Sequence, residues 1–298
     1  MTNCRFTNFG APENNNTRHG VKYLSFRDCL IEMVAILLST YNGAAYLREQ
    51  IDSIIAQDCP DWHLYIRDDG STDNTVATVK KYLTDPRITL MNDTERHRGC
   101  TGSFLWMLAN VDADAYMFCD QDDVWLPEKI SMTLEAMRKH GADMPVLVVT
   151  DLRVVDGSLQ PLHESMWRAY GLDRIVDDSR YLGLTSIYTA CTCMINPAAR
   201  ARVLEFKSDG DLLHDQIAAY AVHRAGGVIV ALHRPTILYR QHQGNAVGFN
   251  PMASIFKKVL SPLKVFRKNA ANYRQSHKYL GTTLPEYLSL KFRYLTSK

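Results

Sequence analysis

Between Val34 and Asp156 the chain alternates short apolar runs with longer stretches whose apolar residues fall at helical spacing, and that alternation leaves few folds open. "VAILL" (34–38) has no polar residue, and "WHLYIRD", "RITLMN", "AYMFCD" and "VLVVTDLRVVD" follow as further strands. Between them, "AAYLREQIDSIIAQ" (44–57) puts Leu47, Ile51, Ile54 and Ile55 at helical spacing, and "STDNTVATVKKYL" opens on helix-capping residues. A helix is expected around 102–110, and Pro127 suits the first turn of another over 127–140. Strands alternating with helices of about 10–15 residues build βαβ units and a mainly parallel sheet. Continuous apolar strands such as "VAILL" fit a sheet covered by helices on both faces. The expectation is a Rossmann-like α/β/α domain over roughly 33–248.

Residues 1–32 carry the Asn-rich "NFGAPENNNTRHG" without periodicity and read as a loose extension. Met33 heads the first strand and is an alternative start of translation, which the intact mass of the native protein would settle. No run reaches the length of a membrane span. Seven cysteines (4, 29, 59, 100, 119, 191, 193), mostly inside apolar segments, fit reduced thiols in a cytosolic compartment better than a disulfide framework. Cys191 and Cys193, alternating along an expected strand, read as core.

In open parallel sheets ligands bind beyond the carboxyl ends of the strands. Three polar clusters stand there: Ser39-Thr40-Tyr41-Asn42-Gly43, Arg67-Asp68-Asp69-Gly70-Ser71 and Asp120-Gln121-Asp122-Asp123. No G-x-G-x-x-G and no P-loop motif accompanies them. Like charges this close raise one another's pKa, which calls for a compensating cation or hydrogen-bond donor. Hard carboxylate oxygens suit Mg2+ or Mn2+ shared with a substrate phosphate. Capping of the helix near Pro127 would explain one of the three acids.

The motifs "VAILLSTYNGAAYLREQIDSIIAQ", "IRDDGSTDNT" and "DQDDVWLPEKI", in this order, resemble family 2 glycosyltransferases, most nearly their bacterial rhamnosyltransferase-like branch. The resemblance implies the GT-A fold and inverting transfer from a nucleotide-diphosphate sugar, dTDP-rhamnose or a UDP-sugar, to a saccharide or lipid-linked saccharide in surface polysaccharide synthesis. It implies that Thr40, Tyr41 and Asn42 border the nucleotide, with Tyr41 either on the base or packed in the core. Asp68 or Asp69 would accept a base N–H. Asp120 to Asp122 would be the family's D-x-D, with Asp122 as metal ligand, Asp120 serving the ribose or a metal-bound water, and Asp123 capping the next helix. Asp215, at the head of "HDQIAAYAVHRAGG", would be the catalytic base, its alternative being an ordinary acid at a helix N-terminus. His214 would position Asp215 or touch the acceptor. In "LYRQHQGNAVG" (238–248), Arg240 and His242, with Asn245, would belong to a loop closing over the diphosphate, His242 as metal ligand or phosphate donor. Ala190 stands where the family has glycine in a strand over 181–196, and Trp167 falls in the acceptor region as a sugar platform or a core residue.

From Pro251 to Lys298, seven lysines and three arginines face one acid, Glu286, which leaves an acidic remainder in a chain of net charge +2. The segment 252–278 interleaves basic and apolar residues and reads as a basic amphipathic appendage. It would lie on the inner face of an anionic membrane, pack on the acidic body or form a homodimer contact. No nucleic-acid motif accompanies it. Two rivals remain at this stage. A sugar-phosphate nucleotidyltransferase would need a Gly-rich basic loop after the first strand, where this chain has S-T-Y-N-G. A scaffold that kept the fold would bind a sugar nucleotide without turning it over.

Overall fold

The computed structural model describes residues 33–208, 210, 212–242 and 262–296. Strands β1 (Val34–Thr40), β2 (Trp62–Asp68), β3 (Ile88–Leu90) and β4 (Ala115–Cys119) alternate with helices α1 (Leu47–Ile55), α2 (Thr75–Lys80) and α3 (Gly99–Asn110). Then come β5 (Val124–Trp125), α4 (Lys129–Arg138), β6 (Val146–Val155), β7 (Pro161–His163) and α5 (Met166–Tyr170). β8 (Met194–Ile195), α6 (Pro197–Glu205), α7 (His214–Arg224) and β9 (Val228–Arg240) complete the sheet region. The strand order is β3-β2-β1-β4-β8-β6-β9-β5, with β7 on β6. β1, β2, β3 and β4 pair in parallel, as do β6 and β9, while β8 and β5 run antiparallel to their neighbours.

Period-two alternation explains the layers. In β1, Ala35 and Leu37 enter one core with Phe104 and Met107 of α3; Val34, Ile36 and Leu38 enter the other with Ile51 of α1 and Ile130 of α4. β4 and β6 divide in the same way, Tyr116, Phe118, Leu147 and Val149 to the first core and Met117, Cys119, Val146 and Val148 to the second. A strand buried on both faces has no polar side to spare, hence the unbroken apolar runs. The expected GT-A arrangement, a mainly parallel sheet between helical layers, is what forms.

The strand expected over 181–196 is instead two 3-10 turns, Ser179–Gly183 and Ala190–Thr192, followed by the two-residue β8. Cys191 and Cys193 still reach opposite cores and are fully buried. The helix expected from 127 begins at Lys129. Arg240, expected in a loop, closes β9; the rest of that segment, 243–248 with Asn245, lies outside the described residues, as do 1–32 and 252–261 of the basic segment.

The C-terminal residues form two helices, α8 (Pro262–Leu280) and α9 (Leu284–Thr296). They pack on the body: Tyr279 stacks between Tyr220 of α7 and Phe206, Asn272 Nδ2 donates to the Leu184 carbonyl (2.6 Å), and the Tyr294 hydroxyl donates to the Tyr170 carbonyl (3.4 Å). Gly183 makes the approach possible, because a Cβ there would lie 2.2 Å from Ser276 Oγ and 2.9 Å from Ser276 Cα. Gly183→Ala must therefore push α8 off the body. It is expected to cost about 1–3 kcal/mol, read as a lower urea midpoint with faster proteolysis of the last two helices.

Candidate active site

The carboxyl ends of β1, β2 and β4 meet at one edge. Gln121 ties two of them together: its Oε1 accepts the Tyr41 N–H (2.9 Å) and its Nε2 donates to the Tyr41 carbonyl (3.0 Å). The clamp passes so close to Gly43 that a Cβ would meet Gln121 Oε1 at 2.1 Å. Thr40 is buried and its hydroxyl donates to Asp68 (2.9 Å). Asn42 has a positive φ of 49° and accepts the Thr72 N–H through its side chain (2.8 Å), bringing the β1 and β2 loops together. Tyr41 is 51% exposed, so its ring belongs to the cleft and not to the core.

The two expected base-binding acids hold the loops. Asp68 accepts from Thr40 and Ser71 hydroxyls and from the Gly70 and Ser71 N–H groups, which fills the four acceptor positions of a carboxylate. Asp69 accepts from Arg67 Nη1 (2.6 Å) and from the Arg98 and Gly99 N–H groups at the start of α3 (both 2.9 Å). Burial works against its ionisation, but those donors outweigh burial and hold its carboxyl below the usual range. Asp69 keeps one acceptor position; Asp68 keeps none. Arg67, to which the sequence reading gave no role of its own, is fully buried and also binds Asp93 and the Ser103 hydroxyl (both 2.7 Å).

Asp120, Asp122 and Asp123 diverge. Asp122 Oδ2 faces His242 Nε2 at 2.8 Å, bringing together the two residues expected to share a cation. Asp120 is partly exposed; loss of solvent around its carboxyl, then the charges of Asp122 and Asp215, push it up to about 7. Asp123 is fully buried and does not cap α4, which begins five residues after Val124 with Glu128 before it and no side-chain cap. Its Oδ1 accepts the Arg240 N–H (3.3 Å), while Oδ2 has no hydrogen-bond partner among the described residues. Burial and the neighbouring Asp122 and Asp120 push Asp123 well above the carboxylate range.

Arg240 departs from its expected place over a diphosphate. It is buried under the acidic turn, with Nε on the Asp122 carbonyl (2.9 Å), Nη1 on the Gly157 carbonyl (2.8 Å), Nη2 on Glu49, and its guanidinium 4.6 Å over the Tyr46 ring. These contacts tie the β4–β5 turn, the β6–β7 turn and α1 to the end of β9 and hold the backbone of Asp122. Arg240→Met strips a buried guanidinium from three acceptors. It is expected to cost about 1–3 kcal/mol in urea unfolding and to weaken binding of manganese at Asp122.

Asp215 opens α7 and is 6% exposed. Burial pushes its carboxyl up to about 6, against hydrogen bonds from the N–H groups of Gln216 (2.7 Å), of Asp215 itself and of Ala190. The donor at 190 is backbone, so alanine in place of glycine preserves it. The exposed Cys100, at the start of α3, reports the convergence. Its thiol is pushed up to about 12, first by loss of solvent around the sulfur and then by the charges of Asp120, Asp215, Asp69 and Asp122, so these four acids lie within electrostatic range of one side chain.

Two expected acceptor residues lie elsewhere. His214 is buried face to face on Phe104 (4.2 Å) and edge-on to Phe118, with both ring nitrogens lacking a hydrogen-bond partner among the described residues. Burial drops its pKa to about 3, so it is a neutral core ring. Trp167 is 3% exposed and packs in the same core. Helical geometry is the reason: consecutive residues point about a quarter-turn or more apart, so Asp215 faces the cleft while His214 turns inward. The cavity beside Asp215 is lined by Thr185, Ser186, Tyr188 and Gln216.

Whether the residues fit a divalent cation can be judged from their chemistry. Asp120, Asp123 and Cys191 offer ligand atoms within 4.8 Å of one another, but the Cys191 thiol is raised well above its ordinary value by burial and then by Asp123 and Asp120. A neutral thiol is a poor ligand for a hard ion and only a weak hydrogen-bond donor to a carboxylate. Asp122 and His242 present a carboxylate oxygen and an imidazole nitrogen 2.8 Å apart, donors that Mn2+ accepts, and positive charge there would relieve the repulsion with Asp120.

A mainly parallel sheet with a D-x-D turn and a second acid converging beyond its strand ends is the design of GT-A glycosyltransferases. The chain belongs to glycosyl transferase family 2, whose family model matches residues 35–201. Over 233 residues it is 28% identical to the dTDP-rhamnosyl transferase RfbG of Shigella flexneri, covering 72% of this chain and 74% of that one. Over 108 residues it is 31% identical to the UDP-Glc:alpha-D-GlcNAc-diphosphoundecaprenol beta-1,3-glucosyltransferase WfgD of Escherichia coli, 36% of this chain and 42% of that one. The structure of S. aureus TarS 1-349 in complex with UDP-GlcNAc superimposes with a TM-score of 0.55 at 18% identity, covering 78% of this chain and 65% of that one. The mannosyltransferase PcManGT from Pyrobaculum calidifontis, in complex with GDP-Man and Mn2+, gives 0.55 at 17% identity, covering 87% and 78%. At those identities the structural likeness establishes the fold.

Proposed function

We propose that this glycosyltransferase is a divalent-metal-dependent, inverting enzyme that moves a sugar from a nucleotide-diphosphate sugar to a hydroxyl of a saccharide or lipid-linked saccharide. The observation that carries the reading is the D-x-D turn after β4 with Asp215 near enough for its charge, after that of Asp122, to raise the Asp120 carboxyl, and with Asp215 itself raised to about 6. The nucleotide would lie between the β1 and β2 loops, with Tyr41 against the base, Asp69 offering its remaining acceptor position, and Thr40, Asn42 and Asp68 shaping the walls. Asp122, with Asp120 and His242, would hold Mn2+ or Mg2+. When bound, such an ion neutralises charge on the departing diphosphate. Asp215 takes the proton of the acceptor hydroxyl as that oxygen bonds to the anomeric carbon and the bond to the diphosphate breaks on the opposite face.

The relatives that act from dTDP-rhamnose and UDP-Glc support a thymine or uracil donor and a role in surface polysaccharide synthesis. The domain would run over 33–248, following the loose extension 1–32. No described helix is long and apolar enough to cross a membrane. The reading places the enzyme in the cytoplasm, peripheral on the membrane through its basic C-terminal segment 249–298. The test is hydrolysis of a panel of nucleotide sugars with manganese, magnesium or chelator. Metal-dependent release of nucleoside diphosphate from one donor identifies it; silence across the panel, without metal-dependent binding, would return the scaffold reading.

A further inference from the structure

The four most exposed large apolar side chains among the described residues are Phe266 (71%), Phe292 (68%), Leu295 (56%) and Leu288 (54%), and all lie on α8 or α9. Leu284 (48%), Leu288, Phe292 and Leu295 recur at intervals of four, four and three and so form one stripe along α9. α9 does not need that stripe to fold onto the protein. Tyr287 meets Tyr273 of α8 edge to face and donates to the Asn269 carbonyl (3.2 Å), and Tyr294 reaches Tyr170; both belong to a different side of the helix. α8 likewise buries Ser276 and Tyr279 on the body and leaves Arg267, Lys268, Arg274 and Lys278 exposed. Over 262–296 the chain carries seven Lys and Arg against one acid, Glu286. An apolar row this exposed inside a cationic surface, on a helix held to the protein by another side, is built to be covered by something apolar and negatively charged.

We infer that the outer face of the α8–α9 pair is a docking surface for an anionic lipid bilayer, with Leu284, Leu288, Phe292, Leu295 and Phe266 entering the interface and the exposed arginines and lysines meeting the headgroups. This rests on the peripheral placement proposed above and moves its apolar anchor from 252–278 to α9. Charge argues against a second copy on the same face, since an isologous contact would oppose two cationic surfaces. Docking also has a consequence for chemistry. Tyr279 of α8 stacks on Tyr220 of α7, the helix whose first turn carries Asp215, so a bilayer-bound α8 sets the proposed base at a fixed distance from the lipid surface.

The test is sedimentation of the full chain with vesicles of phosphatidylglycerol and, separately, of phosphatidylcholine. Wild type is expected to pellet with the anionic vesicles and to release as salt rises, because headgroup attraction is screened. Leu288→Ser/Phe292→Ser is expected to lower partitioning by at least about tenfold, given the apolar area withdrawn. Leu284→Ser/Leu295→Ser should do likewise, and Arg267→Gln/Arg274→Gln should flatten the salt dependence. These side chains are exposed, so circular dichroism melts should match wild type. Wild type that ignores phosphatidylglycerol vesicles, or apolar variants that pellet as wild type does, overturns the inference. So does a wild-type dimer in sedimentation velocity that the apolar variants dissociate while vesicles stay unbound. Donor hydrolysis in the same preparations separates the two readings: vesicle binding without turnover sinks the proposed transfer and leaves the surface standing.

Discussion

Asp215→Asn is expected to reduce sugar transfer by about 10²–10⁴-fold, the usual contribution of a positioned base, while donor binding stays near wild type. Asparagine keeps the shape and the contacts from the Gln216 and Ala190 N–H groups but cannot take a proton. Transfer by wild type should fall as pH drops below about 6, where burial has raised the Asp215 carboxyl, and the variant's residual activity should lack that limb. Stability should move the other way. The folded pKa of about 6 lies above an unfolded value of about 3.9, so the favourable contribution is fully present below about pH 4 and lost as pH rises through about 6. At pH 8 the wild type holds a buried charge that the variant lacks. The melting temperature of Asp215→Asn is therefore expected to exceed wild type at pH 8 and to approach it at pH 4. A variant that transfers sugar at the wild-type rate would remove Asp215 from the chemistry. One that is less stable at pH 8 would show the carboxylate to be structural.

Asp122→Ala is expected to abolish metal-stimulated release of nucleoside diphosphate, on the order of 10²–10³-fold if the ion supplies several kcal/mol to the leaving group. The fold should survive, because Arg240 holds the Asp122 backbone carbonyl, which alanine keeps. Chelator should bring wild type down to the variant's level and leave the variant unchanged. Electron paramagnetic resonance titration with manganese gives a readout independent of turnover: affinity should drop sharply in Asp122→Ala and less in His242→Ala. Unaltered manganese binding in Asp122→Ala would transfer the site to Asp120, Asp123 and Cys191, whose ligand atoms lie within 4.8 Å of one another.

The α/β/α layering and the strand-end placement of the three polar clusters follow from local rules that a sequence displays. Apolar runs buried on both faces announce a parallel sheet, helical spacing announces the layers over it, and ligands gather beyond the carboxyl ends. Asp215 is proposed as base on the resemblance of its motif. Which way a side chain turns was not legible. His214 and Asp215 are adjacent in sequence, yet α7 aims one at the core and the other at the cleft. Arg240 reads in sequence like a phosphate ligand, but pairing of β9 with β6 and β5 carries it beneath the acidic turn, where Glu49 and two carbonyls use its guanidinium. Gln121 and Arg67 lay inside quoted motifs without a role, since their partners are 80 residues away at Tyr41 and 26 away at Asp93.

The basic C-terminal region shows the same division from the surface side. Its charge and amphipathicity are properties of composition and order alone, so an appendage that seeks an anionic or apolar partner could be read directly. Which of its apolar residues the body takes was decided by packing. Gly183 lets Ser276 approach, Tyr220 accepts Tyr279, and Leu284, Leu288, Phe292 and Leu295 are what remains outside. Periodicity, charge and fold class are set by neighbours along the chain and are written in the sequence; the direction, burial and partner of each functional side chain depend on contacts between distant segments, which exist only once the chain has folded.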